Sequence, residues 1–399
     1  MSVLFKSDFH NAFGTWPLAY IPYGGADFGE VQAVAKAVGE GDDGVFHSAF
    51  VAAGDRLAEE AESTLAAGHR GSARDLFLRA SVFYGASLHP LYGAPVDPRF
   101  LSAFHRQVSA FDRGLALGEP AVRPVRIPFE GAAMTAYLLP AAGRADEVRP
   151  LLILTNGYDG TITDMYFASG VAASRRGYHV LMFDGPGQGE MLYVQGVPMR
   201  ADWETVIRAV VNYAIGLPQV DAKKMALSGW SLGGYLAPRG ASGEPRIAAL
   251  IADPGQWGIA AGVRGFIMRV LGDVSDVTPA LVEKLRGVIE KDRRMRWSII
   301  QRGFWVHGVD SLQGFLHAVE PFTMEGRAEL IRCPTLLTAA EDDPLSSTAQ
   351  HFYEALRCPK KLIRFTAAEG AGDHCEMMNR SLLNRRVFDW LDDIFGMSG

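Results

Sequence analysis

The chain has 399 residues, longer than a usual single domain, so a core with appended elements is expected. Hydrophobic residues at 48% and charged residues at 21% are ordinary for a globular protein with a sizeable buried core. A formal net charge of -6 without any block of basic residues argues against a surface built for nucleic acid or for an anionic membrane.

Three cysteines, Cys333, Cys358 and Cys375, are too few and too scattered for a disulfide framework or a thiolate zinc site, so neither metal nor cofactor is expected. Lys6, Asp8 and His10 interrupt the first residues, which lack the apolar core of a secretory signal. No run of about 18 apolar residues occurs that would span a bilayer. A cytoplasmic address follows as the expectation.

Residues 1 to about 120 read as helical. Asp42 and Asp43 precede Phe46, Phe50, Leu57, Ala61 and Leu65, close to a 3.6-residue apolar spacing. Gly68 and Gly71 bracket a break. Ser72 followed by Asp75 then predicts a capping box opening a helix with Leu76, Phe77, Ala80, Phe83 and Tyr84 on one side. This helix pair faintly resembles a tetratricopeptide unit, but without a second copy no solenoid is expected.

The pattern changes near Arg123. Val125–Phe129 and Met134–Leu139, parted around Gly131, predict a β-hairpin. Short apolar runs then alternate with helical stretches: Leu151–Leu154, Val180–Phe183, Met225–Leu227, Ala248–Ala252, Thr335–Leu337 and Leu362–Phe365. Continuous apolarity suits parallel strands covered on both faces, and the alternation predicts a doubly wound, mostly parallel α/β sheet. About eighty residues separate Ala252 from Cys333, with helical pattern at Leu281–Ile289 and around Trp297–Ile300. That is far beyond an ordinary connection and predicts an insertion over the C-terminal edge of the sheet, where ligands of open α/β sheets bind. The expected organisation is an N-terminal helical cap over residues 1–120, a core over 121–253 and 332–399, and an inserted helical lid over 254–331. A last helix should bury Leu383, Val387, Trp390, Leu391 and Ile394.

Gly229-Trp230-Ser231-Leu232-Gly233 matches G-x-S-x-G between an expected strand and an expected helix, the context that lifts a serine oxygen above a sheet on a strained turn. A serine hydroxyl needs a base to take its proton. Of the ten histidines only His374 follows the last expected strand, in Gly370-Ala371-Gly372-Asp373-His374. An acid should follow the penultimate strand to hold the imidazole tautomer, and Glu341-Asp342-Asp343-Pro344 stands there. Asp343, directly before the proline, is favoured, with Asp342 the alternative. For an oxyanion, one backbone N–H should come from Leu232 and the other from Tyr158, in the loop Asn156-Gly157-Tyr158-Asp159-Gly160.

Asp159 either holds that loop or touches substrate. Asp253 ends the strand before the insertion; it is read as a cap for the helix that follows or as a second carboxylate near the histidine or substrate. Trp257, Trp297, Trp305 and His307 either line an aromatic pocket or pack the insertion onto the core. Asp184-Gly185-Pro186-Gly187-Gln188-Gly189 superficially suggests a phosphate loop, but Pro186 removes a donor and no complete G-x-G-x-x-G or G-K-[ST] occurs. It is read as a tight turn bordering the site.

Together these strings resemble one branch of the α/β hydrolases, which includes 2,6-dihydroxypseudooxynicotine hydrolase, fungal Ayg1-like polyketide-shortening hydrolases and FrsA-like proteins. The resemblance runs from about residue 60 to the C-terminus and is carried by Asn156–Thr161, Phe183–Gly189, Gly229–Tyr235 and Glu369–Cys375, the last being the most specific. It implies the α/β-hydrolase fold, a helical cap, a Ser–Asp–His triad and a homodimer. Several members of the branch cleave a carbon–carbon bond next to a ketone and others are esterases. The resemblance to the pseudooxynicotine hydrolase implies an additional glutamate after the nucleophile. This chain departs there, with Glu244 on the helix after Ser231 and Asp253 ending the next strand. The expected activity is hydrolysis of an ester or of a ketone-adjacent C–C bond in a small aromatic or polyketide-like molecule. A peptidase or amidase, or a non-hydrolytic acyltransferase or cyclase, is the alternative on the same fold.

Overall fold

In the computed structural model, which describes residues 4–271 and 278–397, the apolar runs pair into one eight-stranded sheet. The ends of the chain and residues 272–277 of the expected insertion lie outside the described residues. The strands are β1 (Pro124–Phe129), β2 (Ala132–Leu139), β3 (Arg149–Thr155), β4 (His179–Phe183), β5 (Val220–Trp230), β6 (Ala249–Asp253), β7 (Thr335–Ala340) and β8 (Lys360–Phe365). They lie in the order β1-β2-β4-β3-β5-β6-β7-β8. The hairpin β1–β2 and the β2–β4 pair are antiparallel, and every pair from β4 through β8 is parallel.

Period-two alternation decides which side each residue covers. Leu151 and Ile153 of β3 join the core cluster that holds Trp203, Val206, Val210 and Leu236, whereas Leu152 and Leu154 join the cluster with Leu383, Val387 and Leu391 of the C-terminal helix Arg380–Phe395. A sheet buried on both faces is thus built from runs that are apolar throughout. The edge strand β8 departs from that rule: only Phe365 of its residues is buried, because no strand lies beyond it.

Before the sheet stand the helices Asp43–Ala66, Arg70–Ala86 and Pro98–Ala116. Asp42 caps the first through the Val45 N–H at 3.0 Å. The expected box at Ser72 is not formed, because the helix already begins at Arg70 and Ser72 lies inside its first turn. Phe46, Phe50, Phe83, Phe100 and Phe104 from these helices share one apolar cluster with Trp297 and Trp305 of the segment between β6 and β7 and with the sheet. That segment also has a small core of its own around Leu285, Ile289, Leu312, Phe315 and Val319. Among the described residues no helix is long and apolar enough to cross a membrane.

Register fixes the level of the site. Thr155 of β3 pairs with Gly229 of β5, and Trp230 pairs with Asp253 of β6. The residues that follow these strands therefore emerge side by side at one edge.

Candidate active site

Ser231 follows β5 with φ at 55°, in the left-handed region that a non-glycine residue adopts only when its surroundings compel it. Its N–H donates to the Asp253 carbonyl at 2.7 Å and stands 3.2 Å from the Cys375 thiol. The Gly234 N–H closes the turn on the Ser231 carbonyl at 2.8 Å. Gly229 has no alternative here, since a Cβ would lie 2.0 Å from the Gly233 oxygen.

His374 follows β8 and bridges two groups. Its Nε2 is 3.0 Å from Ser231 Oγ and its Nδ1 is 2.8 Å from Asp343 Oδ2. The Asp343 side chain is 1% exposed, and its other oxygen accepts the Leu345 N–H at 3.0 Å. Asp342 is exposed instead, and its N–H donates to the Gly372 carbonyl at 2.8 Å, tying the acid loop to the histidine loop by backbone alone. The adjacent acids therefore do different things. Burial disfavours charge on His374, but the hydrogen bond and charge of Asp343, with the Asp253 charge, outweigh it and raise its pKa above the ordinary value. An imidazole so placed can take a hydroxyl proton and hold the resulting charge.

On the opposite side of Ser231 runs the loop after β3. Asn156 Oδ1 accepts the Gly157 N–H at 2.8 Å and the Trp230 indole N–H at 2.6 Å, linking this loop to the residue before Ser231. Gln188 Nε2 donates to the carbonyls of Asn156 (2.8 Å) and Gly157 (3.1 Å). The glycine-rich turn after β4 thus supports the loop rather than a phosphate. No acceptor among the described residues takes the N–H of Tyr158 or of Leu232, so both donors are free. The Asp159 carboxylate is engaged by Arg302 Nη1 at 2.8 and 2.6 Å, and the Tyr158 hydroxyl by His307 Nε2 at 2.5 Å. Burial, with the Arg302 charge, pushes the His307 pKa down to about 4 and keeps its ring neutral.

Asp253 is placed behind Ser231. Its carboxylate accepts from Thr338 Oγ1 at 2.8 Å and from Arg380 Nη1 at 2.9 Å, a pair only 5% and 2% exposed. It does not cap the next helix, which starts at Ile259. Arg380 also donates to the Cys375 carbonyl at 2.7 Å, so this pair braces both Ser231 and the histidine loop from below. Trp257 meets His351 and Phe352 edge-on, and Trp305 stacks on Tyr193 and meets Phe100 edge-on. Both are packing contacts. Trp297 likewise packs against Phe9 and Tyr92 while its indole donates to the His89 carbonyl at 2.8 Å.

Sequence reading gave no role to Asn156, Gln188, Tyr92, Arg302 or Arg380. The first two could have been singled out as polar residues in turns directly after strands at one sheet edge. The others carry no local signal, because each acts on a partner 67 or more residues away. Among the described residues no group of three or more His, Cys, Asp and Glu could hold a metal ion.

A model of the alpha/beta hydrolase family matches residues 152–383. The hydrolase acrC of Aspergillus aculeatus is 31% identical, over 99% of this chain and 98% of its own length. The 20-hydroxy-prefusarin hydrolase FUS2 of Gibberella moniliformis is 31% identical over 100% and 99%. Among solved structures, 2,6-dihydroxy-pseudo-oxynicotine hydrolase superposes with a TM-score of 0.74 at 22% identity, covering 94% of this chain and 95% of that one.

Proposed function

This chain belongs to the alpha/beta hydrolase family, and from that premise we propose that Ser231, His374 and Asp343 act as nucleophile, base and orienting acid. The substrate proposed is a small, aromatic or polyketide-like molecule cleaved at an ester or at a C–C bond beside a ketone. The observation that carries this reading is the His374 ring, 3.0 Å from Ser231 Oγ on one side and 2.8 Å from Asp343 on the other. A relative named for hydrolysing 20-hydroxy-prefusarin, matched end to end, supports a hydroxylated small-molecule substrate.

In this mechanism Ser231 Oγ adds to the substrate carbonyl as its proton passes to His374 Nε2. The free N–H groups of Leu232 and Tyr158 receive the developing oxyanion. Collapse expels an alcohol from an ester or an enolate from a β-diketone, and either leaving group takes the proton from His374. Water activated by the same imidazole then frees Ser231. The N-terminal helices and the segment between β6 and β7 wall the pocket and exclude bulk water. Trp16 near Trp230, with ring centroids 6.4 Å apart, supports the first part of that reading, and the Arg302–Asp159 pair supports the second.

A fluorophosphonate should label Ser231, read by peptide mass, and Ser231→Ala should lose several orders of magnitude of turnover. Labelling at another residue, or unchanged turnover, overturns the nucleophile. A panel of nitrophenyl esters against β-diketones separates the two bond types.

A further inference from the structure

Core residues hold only the near half of the loop after β3. Asn156 and Gln188 fix it as far as Gly157. Beyond that point, Tyr158 and Asp159 are held by Tyr92, Arg302 and His307. Tyr92 precedes the sheet, and Arg302 and His307 lie between β6 and β7.

Arg302 holds both residues at once. One of its nitrogens reaches both Asp159 oxygens, and the guanidinium carbon lies 4.3 Å from the centre of the Tyr158 ring and 5.0 Å from that of Trp297. The ion pair is largely enclosed, at 15% and 16% exposure. Such a pair adds little stability over an apolar pair of the same shape, and what it supplies is a fixed geometry. The Tyr158 N–H belongs to the Gly157–Tyr158 peptide, whose carbonyl accepts from Gln188 on the core side, while Arg302 holds the Tyr158 ring and Asp159 on its far side.

We propose that Arg302, through Asp159 and the Tyr158 ring, is a positioning residue for the oxyanion loop, so that the inserted segment completes the machinery of the core. The proposal rests on reading the Tyr158 N–H as an oxyanion donor. A donor displaced by about 1 Å is worth about 10²-fold in rate, and the loss falls on the transition state rather than on substrate binding.

The test compares Arg302→Met, Arg302→Lys and Asp159→Asn on a nitrophenyl ester, with Ser231→Ala as reference. Inhibition by a trifluoromethyl ketone, whose adduct with Ser231 is an oxyanion, is measured beside inhibition by the product acid. Arg302→Met and Asp159→Asn should each lower kcat by about 10²-fold with KM within about threefold of the parent. Affinity for the ketone should fall in parallel while that for the acid holds, and Arg302→Lys should recover about tenfold of the loss. A purely structural pair would lower the melting temperature without separating the two inhibitors. Turnover within threefold of the parent in Arg302→Met and Asp159→Asn, beside an inactive Ser231→Ala, overturns the proposal and leaves the nucleophile standing. An active Ser231→Ala removes the nucleophile and this proposal with it. Should Arg302→Met fail to fold, Asp159→Asn, which keeps the side-chain shape, carries the same comparison.

Discussion

The Asp253 carbonyl accepts the Ser231 N–H at 2.7 Å while the Asp253 carboxylate is committed to Arg380, so a single residue joins the serine turn to a buried ion pair. Removing one partner of such a pair strands a charge in the core. Arg380→Met should therefore cost about 3–5 kcal/mol, seen as a lowered urea midpoint with the slope retained. The double variant Arg380→Met with Asp253→Asn should recover part of that loss, since no unpaired charge remains. Equal stability of the single variant and the parent would contradict the role given to the pair.

Asp343 lifts the pKa of His374 above its ordinary value, and the neutral imidazole is the active base. The sign follows: activity falls as pH drops through a midpoint above about 6.5, the unperturbed histidine value. Asp343→Asn should move that acid limb to lower pH and reduce turnover by roughly 10³ to 10⁴. Asp342→Asn should change neither by more than about tenfold, because its carboxylate is exposed. A pH–rate series on the parent and both variants reads this, and the reverse ranking would transfer the role to Asp342.

Gly157 leaves no room for a side chain. A Cβ there would lie 2.8 Å from the Ser231 Cβ and 3.0 Å from the Leu232 nitrogen. Gly157→Ala should thus push the loop away from Ser231 and lower kcat by about 10²-fold in a folded protein, judged by turnover beside a circular dichroism spectrum.

Asp184, at the turn after β4, has a pKa pushed up to about 8, chiefly by burial, and its Oδ1 has no hydrogen-bond partner among the described residues. The folded protein therefore keeps a proton that the unfolded chain releases near pH 4. Stability falls as pH rises between these values, because the native state binds more protons there. Asp184→Asn removes the ionisation, so its advantage over the parent should grow by about 1 kcal/mol per pH unit from pH 5 to pH 8. Melting curves at both ends of that range check it, and parallel curves would contradict it.

Local pattern alone carried the strand order of appearance, the serine turn and the histidine after the last strand. Each depends on residues close in sequence: apolar runs for β3 through β7, small residues around Ser231, and one histidine after Phe365. The edge strand β8 was placed by the same logic, although its exposure reflects a neighbour it lacks rather than its own composition. Between Asp342 and Asp343 the chain offered two identical groups one residue apart, and only the turn into Pro344 sends one under His374 and the other to solvent. Asp253 reads in sequence as a cap or as a second carboxylate near the histidine or substrate, and its partner Arg380 comes to it only in the fold, across 127 positions. The far half of the loop after β3 is likewise set by Tyr92, Arg302 and His307, none adjacent in sequence to what it holds. Periodicity records which face a residue buries, whereas a polar partner is chosen by distance in space, and that exists only once the chain has closed.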